Sequence, residues 1–154
     1  MQTSTTGYRC IPLPTDEIER LRRAPRDDFG NGLEPLEASG PCRHCLRYAL
    51  PGERLVLAAY SPFDRSNAYR ETGPVFMHAD GCAPFAGEGL PPAFAEKPLA
   101  LRGYDAEQTI ARAEIVVDGT AHARVAALLA DPAIAFVHAR SFTHGCYLFR
   151  IERE

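Results

Sequence analysis

Apolar residues occur in short runs of strand length along most of the chain, and several of these runs alternate with polar positions. In the last run Tyr147, Phe149 and Ile151 occupy every second position, which is typical of a strand with one buried face. Runs of this kind are found at 8–13, 55–60, 75–78, 99–104, 109–117, 134–140 and 147–152. The pattern predicts a curved, mostly antiparallel sheet of about six to seven strands.

Two segments have helical patterning instead. Apolar side chains at helical spacing, followed by an Asp-Pro pair, predict a clear helix over about 120–130. A weaker helix is predicted over about 15–23, where acidic residues lie in the first turn and arginines in the last, with Ile18 and Leu21 as its buried pair. Because the helices are too few for the crossovers of a parallel sheet, the predicted fold class is α+β.

Glycine and proline interrupt both periods in two long segments, 24–52 and 80–98. Long loops inside a domain are uncommon unless they have a function, so we expect these two segments to fold over a site. The length of 154 residues, of which 45% are hydrophobic, suits one domain over 1–154 whose core needs neither a metal nor a disulfide to fold.

Charge and hydropathy exclude two classes of partner. Lys and Arg number 17 against 20 Asp and Glu, and no basic tract would neutralise phosphates, so we expect no nucleic-acid partner. The apolar runs are too short to cross a bilayer, and the polar segment 1–6 lacks the apolar core of a signal peptide. We expect a soluble cytoplasmic protein with reduced thiols. The sequence leaves open whether two copies of the chain form a homodimer through their sheet edges.

Four residues form a candidate metal site. Cys42 and Cys45 make a Cys-x-x-Cys pair, while His78 ends a predicted strand and Cys82 follows it across a turn. Three thiolates and one imidazole suit tetrahedral zinc and exclude magnesium or calcium. The two halves of the set lie farther apart in the chain than in most zinc modules. The alternative is that the cysteines pack as small apolar residues.

A second hypothesis is that one of the cysteines acts as a reactive thiol. Arg43 would favour the thiolate of Cys42, and His138 or His144 near Cys146 would supply the minimum of an activated nucleophile. The sequence identifies neither an orienting acid nor an oxyanion hole. Whether the protein is an enzyme therefore stays open.

The favoured hypothesis is a protein that binds a small molecule. Strand ends and glycine- or proline-rich loops carry arginine, histidine and cysteine at separate points of the chain, and guanidinium groups suit carboxylate or phosphate ligands. The predicted pocket for a small polar or anionic ligand is lined by Cys42, Arg43, Tyr69, His78, His138, Arg140 and Cys146.

Several short blocks follow one another in a distinctive order. Among them are Pro41-Cys42-Arg43-His44-Cys45, Gly73-Pro74-Val75-Phe76-Met77-His78 and Gly145-Cys146-Tyr147. In this order, over about 8–152, the chain resembles a bacterial family, the domain of unknown function 1203. The Cys-Arg and Gly-Pro-Val-Phe-x-His blocks are the most specific parts of the resemblance. It implies a single compact domain and assigns no activity, substrate or cofactor.

Overall fold

The computed structural model describes residues 6–154, and this part of the chain forms two helices and eight strands. In chain order these are β1 (Tyr8–Ile11), α1 (Thr15–Arg23), β2 (Leu36–Glu37), β3 (Arg54–Tyr60), β4 (Gly73–His78), β5 (Leu99–Tyr104), β6 (Ile110–Val116), α2 (Ala121–Ala130), β7 (Phe136–Ser141) and β8 (Tyr147–Arg153). Each strand expected from the pattern is present, with small shifts at its ends. The segment 1–6, interpreted above for signal-peptide character, lies outside the described residues except for its last position.

The strands form two antiparallel sheets. The larger has the order β1-β8-β7-β5-β6, and the smaller has the order β2-β3-β4. This confirms the α+β class and the antiparallel pairing, but two sheets replace the single curved sheet that we expected. Alternation determines which face of a strand is buried and not which strand becomes its neighbour. The loop between β4 and β5 carries the chain from one sheet to the other without pairing.

α2 covers one face of the larger sheet. Val125 and Leu128 on this helix are fully buried in a core cluster with Leu101, Val137 and Ile151 from the strands. Burying a side chain of this size contributes roughly 1.5–3 kcal/mol, so this face accounts for much of the stability of the sheet. The predicted helix over about 120–130 is thereby confirmed. Neither helix in the described part of the chain has the length and apolar character needed to cross a bilayer.

α1 covers the smaller sheet. Ile18 and Leu21 are its buried pair, as predicted, and they belong to a second core cluster with Met77 of β4. The Nε of Arg22 donates to the main-chain carbonyl of His78 at 2.7 Å. This hydrogen bond fastens the C-terminal end of α1 beside the end of β4, where the candidate metal ligands lie.

One segment of the long loop before β3 joins the two sheets. Cys42 forms a parallel bridge with Phe76 of β4, and the N–H of Arg43 donates to the carbonyl of Phe76 at 2.8 Å. The Arg43 side chain reaches in the other direction, since its Nε donates to the carbonyl of Tyr147 in β8 at 2.7 Å. The Cys-x-x-Cys segment is therefore held by both sheets.

Candidate metal centre

A tight turn brings the two thiols of the Cys-x-x-Cys pair together. The N–H of Leu46 donates to the carbonyl of Cys42, and the N–H of Cys42 donates to the carbonyl of Arg47, both at 3.0 Å. Leu46 has a φ of 57°, in the left-handed region that non-glycine residues seldom adopt. Its side chain is only 2% exposed and belongs to the main core cluster, so packing offsets the backbone strain.

The other two candidate ligands come from β4 and the turn that follows it. His78 is the last residue of β4, and its side chain is buried. The bridge between Cys42 and Phe76 places the Cys-x-x-Cys turn beside this strand end. Gly81 has a φ of 99°, a conformation that glycine adopts without steric penalty, so the chain reverses there and Cys82 returns to the cluster.

The four predicted ligand residues, Cys42, Cys45, His78 and Cys82, come together, and their ligand atoms all lie within 4.8 Å of one another. The Sγ atoms of Cys42 and Cys82 are 3.8 Å apart, and the Sγ of Cys45 is 3.4 Å from Nδ1 of His78. Zinc–sulfur bonds of about 2.3 Å and zinc–nitrogen bonds of about 2.0–2.1 Å at tetrahedral angles require about 3.8 Å and about 3.6 Å for these pairs. Both separations fit a tetrahedral ion.

The cluster favours the thiolate form of Cys42 and disfavours ionisation of a second cysteine. Hydrogen bonds from the thiols of Cys45 and Cys82 are the largest cause that lowers the pKa of Cys42, and main-chain N–H groups, including that of His44, add to them. The pKa values of Cys45 and Cys82 are raised, chiefly because these thiols donate to Cys42. Ionising all three thiols side by side therefore requires a cation among them.

A carboxylate outside the ligand set lies beside the histidine. Oε1 of Glu53 lies 3.4 Å from Nε2 of His78, on the opposite side of the ring from the Nδ1 that approaches Cys45. Arg47 donates to both oxygens of Glu53 at 2.9 and 3.0 Å, and mainly for this reason the pKa of the Glu53 carboxyl is lowered to about 2. Sequence reasoning did not include Glu53 among the site residues. In the sequence, the one sign of this role is the position of Glu53 in the turn just before β3.

Glu53→Gln should weaken zinc binding by about tenfold while leaving the fold intact, because losing an outer carboxylate partner of a ligating histidine typically costs 10–100-fold in affinity. The measurement is a competition titration against a chromophoric chelator. Glu34→Gln, at an exposed position between α1 and β2, is the control and should bind as the unmodified protein does. Equal affinities for both variants would contradict the positioning role of Glu53.

A second imidazole touches the cluster from the side of α1. Nδ1 of His44 lies 3.3 Å from the Sγ of Cys82, and its Nε2 lies 3.0 Å from the Thr15 hydroxyl. Burial, and then the charge of Arg22, lowers the pKa of His44, so the ring is neutral near pH 7. Arg22 itself approaches the Cys82 sulfur at 3.5 Å. His44, which lies between the cysteines of the Cys-x-x-Cys pair, and Arg22 of α1 thus contact the Cys82 sulfur from outside the ligand set.

Arg43 is built into the fold. Its guanidinium is buried and donates to three main-chain carbonyls, those of Pro41, Pro74 and Tyr147. Burial lowers the pKa of Arg43 to about 10, so the group keeps its positive charge at neutral pH. The side chain thus links the Cys-x-x-Cys turn to β4 and β8, with each of its three nitrogens donating to a main-chain carbonyl.

The seven residues predicted to line one ligand pocket are distributed over several environments. Cys146 borders two hollows, of about 400 and about 180 Å³, with Arg43 lining the larger and Arg140 the smaller. Glu71 lies 2.9 Å from the guanidinium of Arg140. Four of the seven line neither hollow: Cys42 and His78 in the metal cluster, His138 in the interior, and Tyr69 in an exposed part of the loop between β3 and β4.

The Cys146 thiol has no imidazole partner among the described residues. Its Sγ contacts the main-chain carbonyl of His144 at 3.8 Å, whereas Nδ1 of His144 lies 2.8 Å from the Thr143 hydroxyl. Cys10 is buried in the main core, and burial raises its pKa to about 12. The pairing with an imidazole that the thiol hypothesis needs at Cys146 is therefore not formed among the described residues, and Cys10 is a core residue.

His138 is enclosed by aromatic rings. The ring centroids of Phe63, Tyr104, Phe136 and Tyr147 lie 4.8–5.1 Å from that of His138. The side chain is 0% exposed, and neither ring nitrogen has a hydrogen-bond partner in the described structure. Burial, followed by the charges of nearby arginines, lowers its pKa from 6.5 to about 2. His138 is thus a neutral core residue.

His138 should make folding stability depend on pH. Between its ordinary pKa of 6.5 and its folded value of about 2, the unfolded chain binds a proton that the folded chain does not. The free energy of unfolding should therefore fall as pH decreases below 6.5, by at most about 1.4 kcal/mol per pH unit from this group. Urea unfolding of His138→Phe at pH 7 and pH 5 should show a smaller loss than the unmodified protein. The exposed-site control His144→Gln should show the full loss, and identical losses in all three proteins would refute this assignment.

The fold and the cluster define a class: an α+β protein of two antiparallel sheets whose connecting loops bring three cysteines and one histidine into metal-ligand geometry. The model of the family described as "Protein of unknown function (DUF1203)" matches residues 39–153, and the chain belongs to this family. The match confirms the resemblance and contains all four cluster residues, but it begins at 39, so β1, α1 and β2 lie outside it. No curated protein and no solved structure gave a significant match.

Proposed function

We propose that this protein binds zinc through Cys42, Cys45, His78 and Cys82. The observation that carries the proposal is the convergence of these four ligand atoms within 4.8 Å, with separations that suit a tetrahedral ion. Three sulfur donors select a soft or borderline metal, and the single imidazole fits zinc better than an all-sulfur iron site. Because thiols must stay reduced to serve as ligands, we also propose a cytoplasmic location.

The proposed role of the zinc is structural. Four protein ligands complete a tetrahedral shell and leave no position for water or substrate, which catalytic zinc requires. The ion would tie the Cys-x-x-Cys turn to the end of β4 and to the turn at Gly81. The main core cluster contains none of the four ligand residues, whereas the cluster under the smaller sheet includes Cys42 and packs against Cys45 and Cys82. We therefore expect zinc to order these loops and to stabilise the packing of the smaller sheet, and the larger sheet to form without it.

Metal analysis of protein produced without a histidine tag tests the proposal. We expect one zinc ion per chain, and a loss of nearly all of it in Cys82→Ser. Cys146→Ser is the matched control, because Cys146 lies outside the cluster, and it should keep one zinc ion per chain. Purified protein that contains no metal and does not take up zinc or cobalt would overturn the proposal. Iron in place of zinc would overturn the choice of metal.

A further inference from the structure

A cavity separate from the metal cluster lies between the two sheets. It has a volume of about 400 Å³, within the range of sites that hold small organic molecules. Its walls are mainly apolar and include Phe76 of β4, Phe94 and Pro98 of the loop before β5, and Leu148 of β8. Gly40 lies against the Phe76 ring so closely that an added Cβ would stand 2.3 Å from a ring carbon. The main chain of Gly40 and the ring of Phe76 are therefore in close contact at this wall of the cavity.

The charges at the cavity have one sign. Its lining includes two cationic side chains, Lys97 and Arg43, and no carboxylate. The Lys97 ammonium lies 3.8 Å from the centroid of the Tyr48 ring, and within residues 6–154 it makes no ion pair. The protein as a whole has a net charge of −3, so this positive cavity contrasts with the rest of the molecule. Such a cation beside apolar walls attracts an anion that also has an apolar body.

The two cations differ in what they offer to a ligand. Each of the three nitrogens of Arg43 already donates to a main-chain carbonyl, so the guanidinium is held in place and contributes mainly positive potential. Lys97 is exposed and holds its ammonium over an aromatic face, which leaves its N–H groups available. Ser39, Ser141 and Thr143 add hydroxyl groups to the lining. The anionic end of a ligand would therefore meet Lys97, and its apolar end would meet Phe76 and Leu148.

We propose that this cavity binds an amphipathic organic anion, an aromatic carboxylate or sulfonate, with Lys97 as the contact for the charged group. This differs from the pocket expected from the sequence, which combined cysteine, histidine and arginine around a polar ligand. Of those residues only Arg43 and Cys146 line the cavity. The proposal does not depend on zinc, because none of the four metal-cluster residues lines this cavity.

Two fluorescent probes with nearly the same aromatic skeleton distinguish the contribution of the ligand's charge to binding from that of its apolar surface. Anilinonaphthalene sulfonate carries an anion, whereas phenylnaphthylamine does not. We expect saturable binding of the sulfonate by the native protein, and about tenfold weaker binding by Lys97→Met, because a charge-assisted contact is lost. Phenylnaphthylamine should bind weakly to both proteins and equally to each. Lys97→Arg should retain binding, and Arg23→Gln, which removes an 82% exposed charge elsewhere, should bind as the unmodified protein does.

A second measurement locates the probe. Cys146 lines the cavity, so bound sulfonate should slow alkylation of Cys146, as followed by mass spectrometry of the digested protein. Ser39→Trp, at an exposed position of the rim, should fill the cavity and abolish both binding and protection. Cooperative thermal unfolding of each variant shows that it is folded. Absence of saturable binding, an equal effect of Lys97→Met on both probes, or unprotected Cys146 would each overturn the proposal.

Discussion

Cys42→Ser should remove the bound zinc and lower the free energy of unfolding by about 4 kcal/mol, which corresponds to a decrease in Tm of roughly 8–16 °C. Cys42 lies at the centre of the cluster, since it is fully buried and its sulfur accepts hydrogen bonds from the main-chain N–H groups of His44 and His78, each at 3.4 Å. A serine hydroxyl is a poor zinc ligand and is too short to keep these contacts. Metal analysis and thermal unfolding of the same preparation provide the two measurements.

Chelation distinguishes loss of zinc from loss of packing in this variant. The unmodified protein with a strong chelator should unfold at a lower temperature, whereas Cys42→Ser should not respond to the chelator. Cys146→Ser should resemble the unmodified protein in both conditions, because its sulfur lies outside the cluster. If the unmodified protein is unaffected by chelation and Cys42→Ser is still destabilised, Cys42 acts only by packing and the zinc proposal fails.

Arg43→Met should lower the free energy of unfolding by about 3–5 kcal/mol, because three main-chain carbonyls lose their common buried donor. The carbonyls belong to Pro41, Pro74 and Tyr147, so the substitution loosens the contact of the Cys-x-x-Cys turn with both sheets. Methionine keeps much of the apolar stem of arginine, and the loss therefore measures the guanidinium contacts. Urea unfolding at pH 7 is the measurement.

Two further variants calibrate this result. Arg43→Lys keeps the charge but cannot reach three carbonyls with one ammonium, so its stability should lie between those of the other two proteins. Arg9→Met breaks an exposed ion pair with Glu152, at 3.4 Å, and should change stability by less than about 1 kcal/mol. If Arg43→Met costs no more than Arg9→Met, then the buried carbonyls are satisfied without Arg43, and its structural role is refuted.

Local patterns in the sequence were sufficient for nearly all regular elements. The alternation that predicts the strands depends on contacts one or two residues apart, and the buried pair of α1, Ile18 and Leu21, follows from helical spacing alone. The one strand that was missed, Leu36–Glu37, has two exposed residues and follows a proline, so it leaves no apolar signal. It forms because β3 provides a neighbouring edge.

The outer parts of the candidate site could not be read from the sequence. Glu53 reaches the cluster only after the turn before β3 closes, and it belongs to no spacing rule for zinc ligands. His44 lies within the Cys-x-x-Cys pair, but its contact with Cys82 depends on the turn at Gly81. The charged lining of the cavity could not be read from the sequence either. Lys97 stands out in the sequence as the single lysine among the basic residues, but its position over Tyr48 depends on the loop before β5.

The sequence by itself determined all the elements but β2, the α+β class and the identity of the four candidate ligands, because donor chemistry and hydrophobic period are properties of the residues themselves. Only the tertiary structure decided that the strands divide into two sheets, that Arg43 faces carbonyls, and that His138 is enclosed by aromatic rings. It also decided that Cys45 and His78 meet, through the bridge between Cys42 and Phe76. These outcomes depend on contacts between residues far apart in the chain, which no local pattern encodes.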